Sequence, residues 1–447
     1  MPSALKVAKP CSTEGRLMRA DQSLDLSAWS GGAGNSPLER PANMVHHTIA
    51  INTTKANKAS SKIKPMRKLP LFSSPAAWAA WVVAAIVGSL AGCSVTPSHQ
   101  ASWPGTSSPS ETGTLPPPLM QAQSRWVPVR WSELPGLDTD PLQEAWPAWQ
   151  QSCLRPAPAW KTLCPEVHQL ANAPVTAQRQ WMRQNLQPYR VESRDQRTDG
   201  LLTAYYEPVL NASRQPRAGF SVPLYAPPAG LAQRKPWYTR QEMDTWPAAK
   251  AALRGKELVY LADPVDAMVL HIQGSGLINV TESDGRQRLV RLAFAGTNDQ
   301  PYKSIGRWLL DQGLIRDASW PGIKDWIVRN PSRVNELLWQ NPRVVFFKEE
   351  ALPPGNTPPG PKGAQGVPLT AGRSIAVDRG SIPYGTPVWL RSQGPQTSLD
   401  KLVLAQDTGT AIVGAVRADY YAGSGTAAGE LAGRMKQPLQ LWVLWPK

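Results

Sequence analysis

The chain has 447 residues and a formal net charge of +15 at pH 7, long enough for two domains of ordinary size. About half of that surplus lies in the first 92 residues, and the remainder has no Lys/Arg-rich stripe with interleaved aromatics, so nucleic acid is excluded as a partner. Moderate positive charge fits an anionic cell-wall or membrane surface.

Lys62, Lys64, Arg67 and Lys68 precede an uncharged apolar run from Ala76 to Leu90, which ends in Leu90-Ala91-Gly92-Cys93. The run is too short to span a bilayer comfortably, and with its basic flank it reads as a secretory signal. Small residues leading into a cysteine resemble the bacterial lipoprotein signal, which would make Cys93 the lipidated first residue. Met66 opens a leader of normal length, so residues 1–65 are read as an over-extended start within a leader that ends at 92. A cytoplasmic protein with an apolar tail is the alternative. Residues 93–122, rich in Ser, Thr, Gly and Pro, read as a flexible tether. Of the remaining cysteines, Cys11 lies in the leader, and Cys153 and Cys164 form an exported pair. Their disulfide would stabilise by about 3 kcal/mol, and two free buried thiols are the alternative.

Asp140-Pro141-Leu142-Gln143 offers an N-cap, a proline at the first helical position and a Gln three after the cap, followed by Leu142, Ala145, Trp146 and Trp149 at helical spacing. A second helix is predicted near Thr176 to Leu186, then a polar segment and a strand over Leu201 to Leu210. Leu258 to Leu261 and Met268 to Ile272 read as strands, Ser304 to Gln312 as a helix ended by Gly313, and a further helix begins at Ser332. Pro353 to Gly366 is a long loop. Short strands follow at Ser374–Val377, Pro387–Leu390, Leu402–Ala405, Ala411–Ala418 and Leu439–Leu444, a spacing that favours a small β-barrel.

The mature part carries only His99, His168 and His271, with no paired-histidine spacing and no CxxC, so neither metal nor cofactor is expected. Gln273-Gly274-Ser275-Gly276 lacks the glycine that a serine nucleophile elbow needs. Carboxylates remain. Asp407 and Asp419 lie in a small, apolar, Gly-rich segment from Gln406 to Gly425, where an acid must be paired, hydrogen-bonded or neutralised by a raised pKa. Breaking a glycosidic bond needs a protonated donor, and Asp419 between Ala418 and Tyr420-Tyr421 has neighbours that disfavour ionisation. Asp407 could be the second acid of a hydrolase, or both could simply hold turns.

Seven segments in order carry a resemblance: Gly200-Leu-Leu-Thr-Ala-Tyr-Tyr-Glu-Pro208, His271-Ile-Gln-Gly-Ser-Gly276, Ser304-Ile-Gly-Arg307, Asn341-Pro342 with Phe346-Phe347, Leu369 to Asp378, Ile382-Pro-Tyr-Gly-Thr-Pro387, and the acid segment. Over about residues 125–447 the chain resembles the membrane-bound lytic murein transglycosylase A family. Its last third resembles the three-aspartate domain, with Asp378, Asp407 and Asp419 as the acids. The resemblance implies a mainly β (α+β) protein: a double-psi β-barrel from residues 123–212 plus 338–447, an inserted β-rich domain at 213–337, and a glycan groove between them. It implies cleavage of the MurNAc-GlcNAc β-1,4 bond of peptidoglycan, with the C6 hydroxyl closing onto C1 to leave a 1,6-anhydro end. Asp419 would act as acid and then base, with Asp407 as its helper, or the two with roles exchanged, and Asp378 as a structural acid. Tyr205, Tyr206, Glu207, Gln273, Gly274 and Ser275 would contact substrate. Where many relatives have a second glycine after Asp-Thr-Gly, this chain has Thr410. The resemblance places the chain as a monomeric lipoprotein on the periplasmic face of the outer membrane of a Gram-negative bacterium, with glycan strands as substrate and the cell-wall synthesis machinery as a partner to test. A two-acid muramidase on the same barrel and a non-catalytic wall-binding lipoprotein are the rival readings.

Overall fold

A computed structural model describes residues 113–355, 358–395 and 397–447. Cys93, the leader and most of the expected tether lie outside the described residues. The strands, in chain order, are β1 (Leu119–Met120), β2 (Arg125–Pro128), β3 (Leu186–Glu192), β4 (Gly200–Glu207), β5 (Val209–Ser213), β6 (Val222–Tyr225), β7 (Glu257–Leu261), β8 (Gly276–Thr281), β9 (Gln287–Thr297), β10 (Val345–Ala351), β11 (Ser374–Val377), β12 (Thr386–Gln393), β13 (Ser398–Asp407), β14 (Arg417–Ser424) and β15 (Lys436–Pro446). β1 falls inside the stretch read as tether and pairs with β2.

Two sheets divide these strands. The first runs β1-β2-β3-β15-β12-β13-β11-β14-β4, and β4 also pairs with β15, which closes β15, β12, β13, β11, β14 and β4 into a six-stranded barrel. Its interior is filled by every second residue: Leu202 of β4, Ile375 and Val377 of β11, Val388 and Leu390 of β12, Val403 and Ala405 of β13, and Ala418 and Tyr420 of β14. The intervening residues Trp389, Leu402 and Leu404 are buried too, because a layer of short helices covers that side of the barrel with Trp146, Trp149, Trp160 and Trp181. Trp149 sits at its centre, with ring centroids 5.1, 5.8 and 5.6 Å from those of Trp146, Trp160 and Trp181. These strands therefore read as continuous apolar runs rather than alternating ones.

Cys153 and Cys164 are joined in a disulfide beneath this layer. Asp140 does not cap a helix. Its Oδ2 accepts from the buried Arg373 at 2.9 Å and from the Leu402 amide at 3.0 Å, while Leu142–Glu144 is a single 3-10 turn and the α-helix starts at Trp146. The competing partner was a cation more than two hundred residues away, invisible to local pattern.

The second sheet runs β10-β9-β8-β5-β7-β6. It spans Val209 to Ala351, wider at both ends than the insertion expected at 213–337, because β4 and β5 are separated only by Pro208 and the chain changes sheet at that residue. The Pro208 carbonyl accepts from the Leu277 amide at 2.9 Å, so the proline without an N–H stands where no barrel partner remains. Met268–Ile272 lies in a helix, Pro264–Gln273, not in a strand. Its residues Val265 and Ala267 to Leu270 are buried, and the four consecutive apolar ones mask the 3.6-residue signature. The end signals were present: Asp263 Oδ1 accepts from the Val265 amide, Pro264 follows it, and Gly274 closes the helix at φ 81°. The expected strand Ala411–Ala418 is likewise a turn, with the strand beginning at Arg417.

Candidate active site

Both acids stand on one row of the barrel wall. Ala376 of β11 is in register with Asp407 of β13 on one side and with Asp419 of β14 on the other, and Asp419 is in register with Thr203 of β4. In-register residues on adjacent strands point the same way. Since Leu202, Ile375, Val377, Ala418 and Tyr420 fill the interior, Thr203, Ala376 and Asp419 face outward.

Asp407 joins them through an irregularity. Along β13, Val403 and Ala405 face inward, so straight alternation would send Asp407 inward as well. The register shifts between Ile375 and Ala376, pairing them with Ala405 and Asp407 and leaving Gln406 as the extra residue of a β-bulge. Gln406 is fully buried and stays put by donating Nε2 to the Ala148 carbonyl at 2.7 Å and to Ser152 Oγ at 2.8 Å, and by accepting from Ser374 Oγ. The bulge turns Asp407 onto the outer face.

Asp407 is held by three donors: Oδ1 accepts from the amides of Ala364 and Thr408, each at 2.9 Å, and Oδ2 from the Tyr205 hydroxyl at 2.9 Å. Burial raises its pKa against the pull of those donors, and the charge of Asp419 raises it further. Tyr205 packs against Tyr421, with ring centroids 5.4 Å apart. Burial and the nearby Asp407 push its phenol well above the ordinary value, so it remains a donor. Asp419 accepts a short hydrogen bond from Thr203 Oγ1. Burial raises its pKa, opposed by the Arg417 guanidinium and by the Thr203 hydroxyl. A carboxyl whose pKa is raised by burial, beside a cation that offsets its charge once ionised, is suited to giving up a proton and taking one back.

The other sequence-derived site residues divide. Tyr206 faces away from Tyr205, with its ring against Gly429 of the helix Thr426–Arg434, where a Cβ would lie 2.8 Å from Cε2. Gln273 accepts from the Tyr206 amide at 3.1 Å, Gly274 ends the helix described above, and Ser275 is buried. Glu207 is fully buried and faces Arg291 of β9, which donates Nε to Oε1 at 2.6 Å and a terminal nitrogen to Oε2 at 3.0 Å. Ser424 Oγ donates to the same carboxylate at 3.2 Å. Glu207 therefore ties the barrel to the second sheet and has no open face for a sugar. Asp378 holds two turns by accepting from the Gly380 and Gly414 amides, each at 2.8 Å. Thr203 and Arg417 were not singled out from the sequence. The signal was the alternation itself, since Arg417 shares its strand face with Asp419, and Thr203 with Tyr205. Among the described residues no cluster of His, Cys, Asp and Glu could hold a metal.

Comparison with known proteins matches these parts. The profile of the MltA specific insert domain covers residues 201–348, and that of the 3D domain residues 373–445. The membrane-bound lytic murein transglycosylase A of Vibrio cholerae is 34% identical over 265 residues, 56% of this chain and 66% of the relative. Among solved structures, the lytic transglycosylase LtgG of Burkholderia pseudomallei is 43% identical, with 73% of this chain and 97% of that chain covered and a TM-score of 0.52. Escherichia coli MltA with bound chitohexaose is 27% identical, with 69% and 90% covered and a TM-score of 0.56. The closed six-stranded barrel is the double-psi barrel of these structures, and the chain belongs to the membrane-bound lytic murein transglycosylase A family.

Proposed function

We propose that this enzyme is a peptidoglycan lytic transglycosylase that cleaves the MurNAc-GlcNAc β-1,4 bond without water. The observation that carries the reading is the row Asp407, Ala376, Asp419, Thr203 on the outer wall of the barrel. Asp419 gives its proton to O4 of the departing GlcNAc as the C1–O4 bond breaks. The Asp419 carboxylate then takes the proton from the MurNAc C6 hydroxyl as O6 bonds to C1, leaving a 1,6-anhydro end and restoring the acid. The nucleophile is already part of the substrate, so no residue has to position a water.

A two-acid hydrolase draws support from one feature. Asp407 and Asp419 stand on the same outer face, two strands apart with Ala376 between them, so a pair of carboxyls is on hand. Against it, Asp407 already accepts three hydrogen bonds, two of them on one oxygen, which ties its carboxyl in place rather than leaving it free to meet water. Mass analysis of digested sacculi separates the readings: anhydro-MurNAc ends support the transglycosylase, ordinary reducing ends the hydrolase, and sacculus binding without cleavage the non-catalytic protein. Asp419→Asn is expected to lower turnover at least a thousandfold with binding retained, and wild-type turnover in that variant overturns the acid assignment.

We further place the protein at the cell envelope of a Gram-negative bacterium, consistent with the relative named membrane-bound, as a monomer tethered to the outer membrane through a lipid on Cys93. Among the described residues no helix is long and apolar enough to cross a membrane. Labelled palmitate should enter the full chain and not its Cys93→Ser variant. The cell-wall synthesis machinery is the partner class to test by crosslinking in cells.

A further inference from the structure

So far Arg417 has entered only as a charge that opposes the effect of burial on Asp419, yet its guanidinium is built into the acid's surroundings. It stands two residues before Asp419 on the same face of β14. One terminal nitrogen donates to Thr203 Oγ1 at 2.8 Å, and the other to the Leu201 carbonyl at 3.3 Å and to the Ala418 carbonyl. The Thr203 hydroxyl, with its lone pair engaged by Arg417, points its single hydrogen at Asp419 Oδ1. Cation, hydroxyl and carboxyl thus form a directed chain across β14 and β4.

From this geometry we propose that Arg417 is a positioning residue for the proton transfers, acting on Asp419 through Thr203. The proposal rests on Asp419 being the acid. When Asp419 releases its proton, the new negative charge falls on a group already facing a polarised hydroxyl, with a full positive charge behind it. Such a chain stabilises the carboxylate more than the acid, which eases the first transfer. It also holds Oδ1, leaving Oδ2 to meet the substrate. Two carbonyl oxygens fix the guanidinium so that the cation cannot swing onto Asp419 and form a direct ion pair, which would hold the acid ionised and idle.

Other charged and titratable groups around Asp419 act in different directions. Tyr421 lies on its own strand, Tyr205 on β4, Asp407 on β13, and Lys436 of β15 is in register with Thr203. Asp407 and Asp419 repel one another when both are ionised, which raises the pKa of Asp407. Burial lowers the pKa of both cations, and the charge of Asp419 holds that of Arg417 up.

The test compares Arg417→Met, Arg417→Lys, Thr203→Val and Thr203→Ser with wild type by the pH profile of kcat/KM on purified glycan strands, and by carbon NMR titration of the Asp419 carboxyl without substrate. Activity falls as pH rises through the pKa of the acid, and removing a cation raises that pKa. Arg417→Met is therefore expected to move the alkaline limb upward by about one pH unit, with kcat about tenfold lower and KM little changed, because a tenfold change in equilibrium is one pKa unit. Arg417→Lys should return most of the limb position, and Thr203→Ser should behave as wild type where Thr203→Val follows Arg417→Met. A merely structural arginine would lower melting temperature and leave both the limb and the NMR titration unmoved, and that result overturns the proposal. The substrate-free titration reads the link between Arg417 and Asp419 even if wild type yields reducing ends, so failure of the transglycosylase reading and failure of this one are distinguishable.

Discussion

Ala376 brings no reactive group, yet it is the residue on which both acids converge. Its methyl lies between in-register neighbours Asp407 and Asp419 and is almost fully covered. A larger side chain there has nowhere to go but between the carboxyls. Ala376→Leu is expected to lower kcat at least tenfold, with a loss of about 1–3 kcal/mol of stability from overpacking, measured by turnover and chemical denaturation. Asp419 itself carries a cost of placement. Its folded pKa is raised above the unfolded value, so the folded state holds more protons between the two, and stability falls as pH rises through that window. Asp419→Asn should therefore melt at a higher temperature than wild type at pH 7, with the difference vanishing below about pH 4, where the acid is protonated in both states. The two acids were legible in sequence as charges in the wrong company. Thr203 and Arg417 were legible only as residues sharing a strand face with Tyr205 and Asp419, because an ordinary strand threonine and a surface-like arginine acquire further meaning only when β4 and β14 are side by side.

At the level of elements, the bulge in β13 does the aiming. Gln406 consumes one residue of register, and the loop that follows β10 locks it in place: Gln365 donates its amide to the Gln406 carbonyl at 3.0 Å, and Ala364 donates to Asp407. Gly363 allows this approach, since a Cβ there would meet the Gln406 carbonyl oxygen at 2.5 Å. Gly363→Ala should push the loop away, loosen Asp407 and lower kcat more than it raises KM, read from steady-state kinetics beside a melting curve. Most barrel strands were visible as short apolar runs between turns, and the helices Val175–Asn185 and Ile305–Asp311 as periodic stretches. The helix Pro264–Gln273 was misread because four consecutive buried apolar residues, Ala267 to Leu270, mask its period, and the bulge was unreadable because it depends on pairing with β11.

For the whole molecule, the junction between sheets rests on Glu207 and Arg291, which are 0% and 4% exposed. Arg291→Met leaves a buried carboxylate without its cation and is expected to cost about 3–5 kcal/mol, whereas Glu207→Gln with Arg291→Met should recover much of that loss; paired denaturation curves check both. Periodicity gave no sign that strands β5 to β10 form a sheet of their own between barrel strands β4 and β11, since a single proline marks the first crossing. That arrangement also sets an order of events during synthesis. Thr203 must wait for Asp419, 216 positions later, and β15, which follows every other barrel strand, is the one that pairs with β3, β4 and β12. The second sheet, whose partners all lie between Val209 and Ala351, can assemble while the barrel is still an open edge. A nascent chain therefore completes the wall around Asp419, the proposed proton donor, only once β15 has been made and has joined β4 to β12.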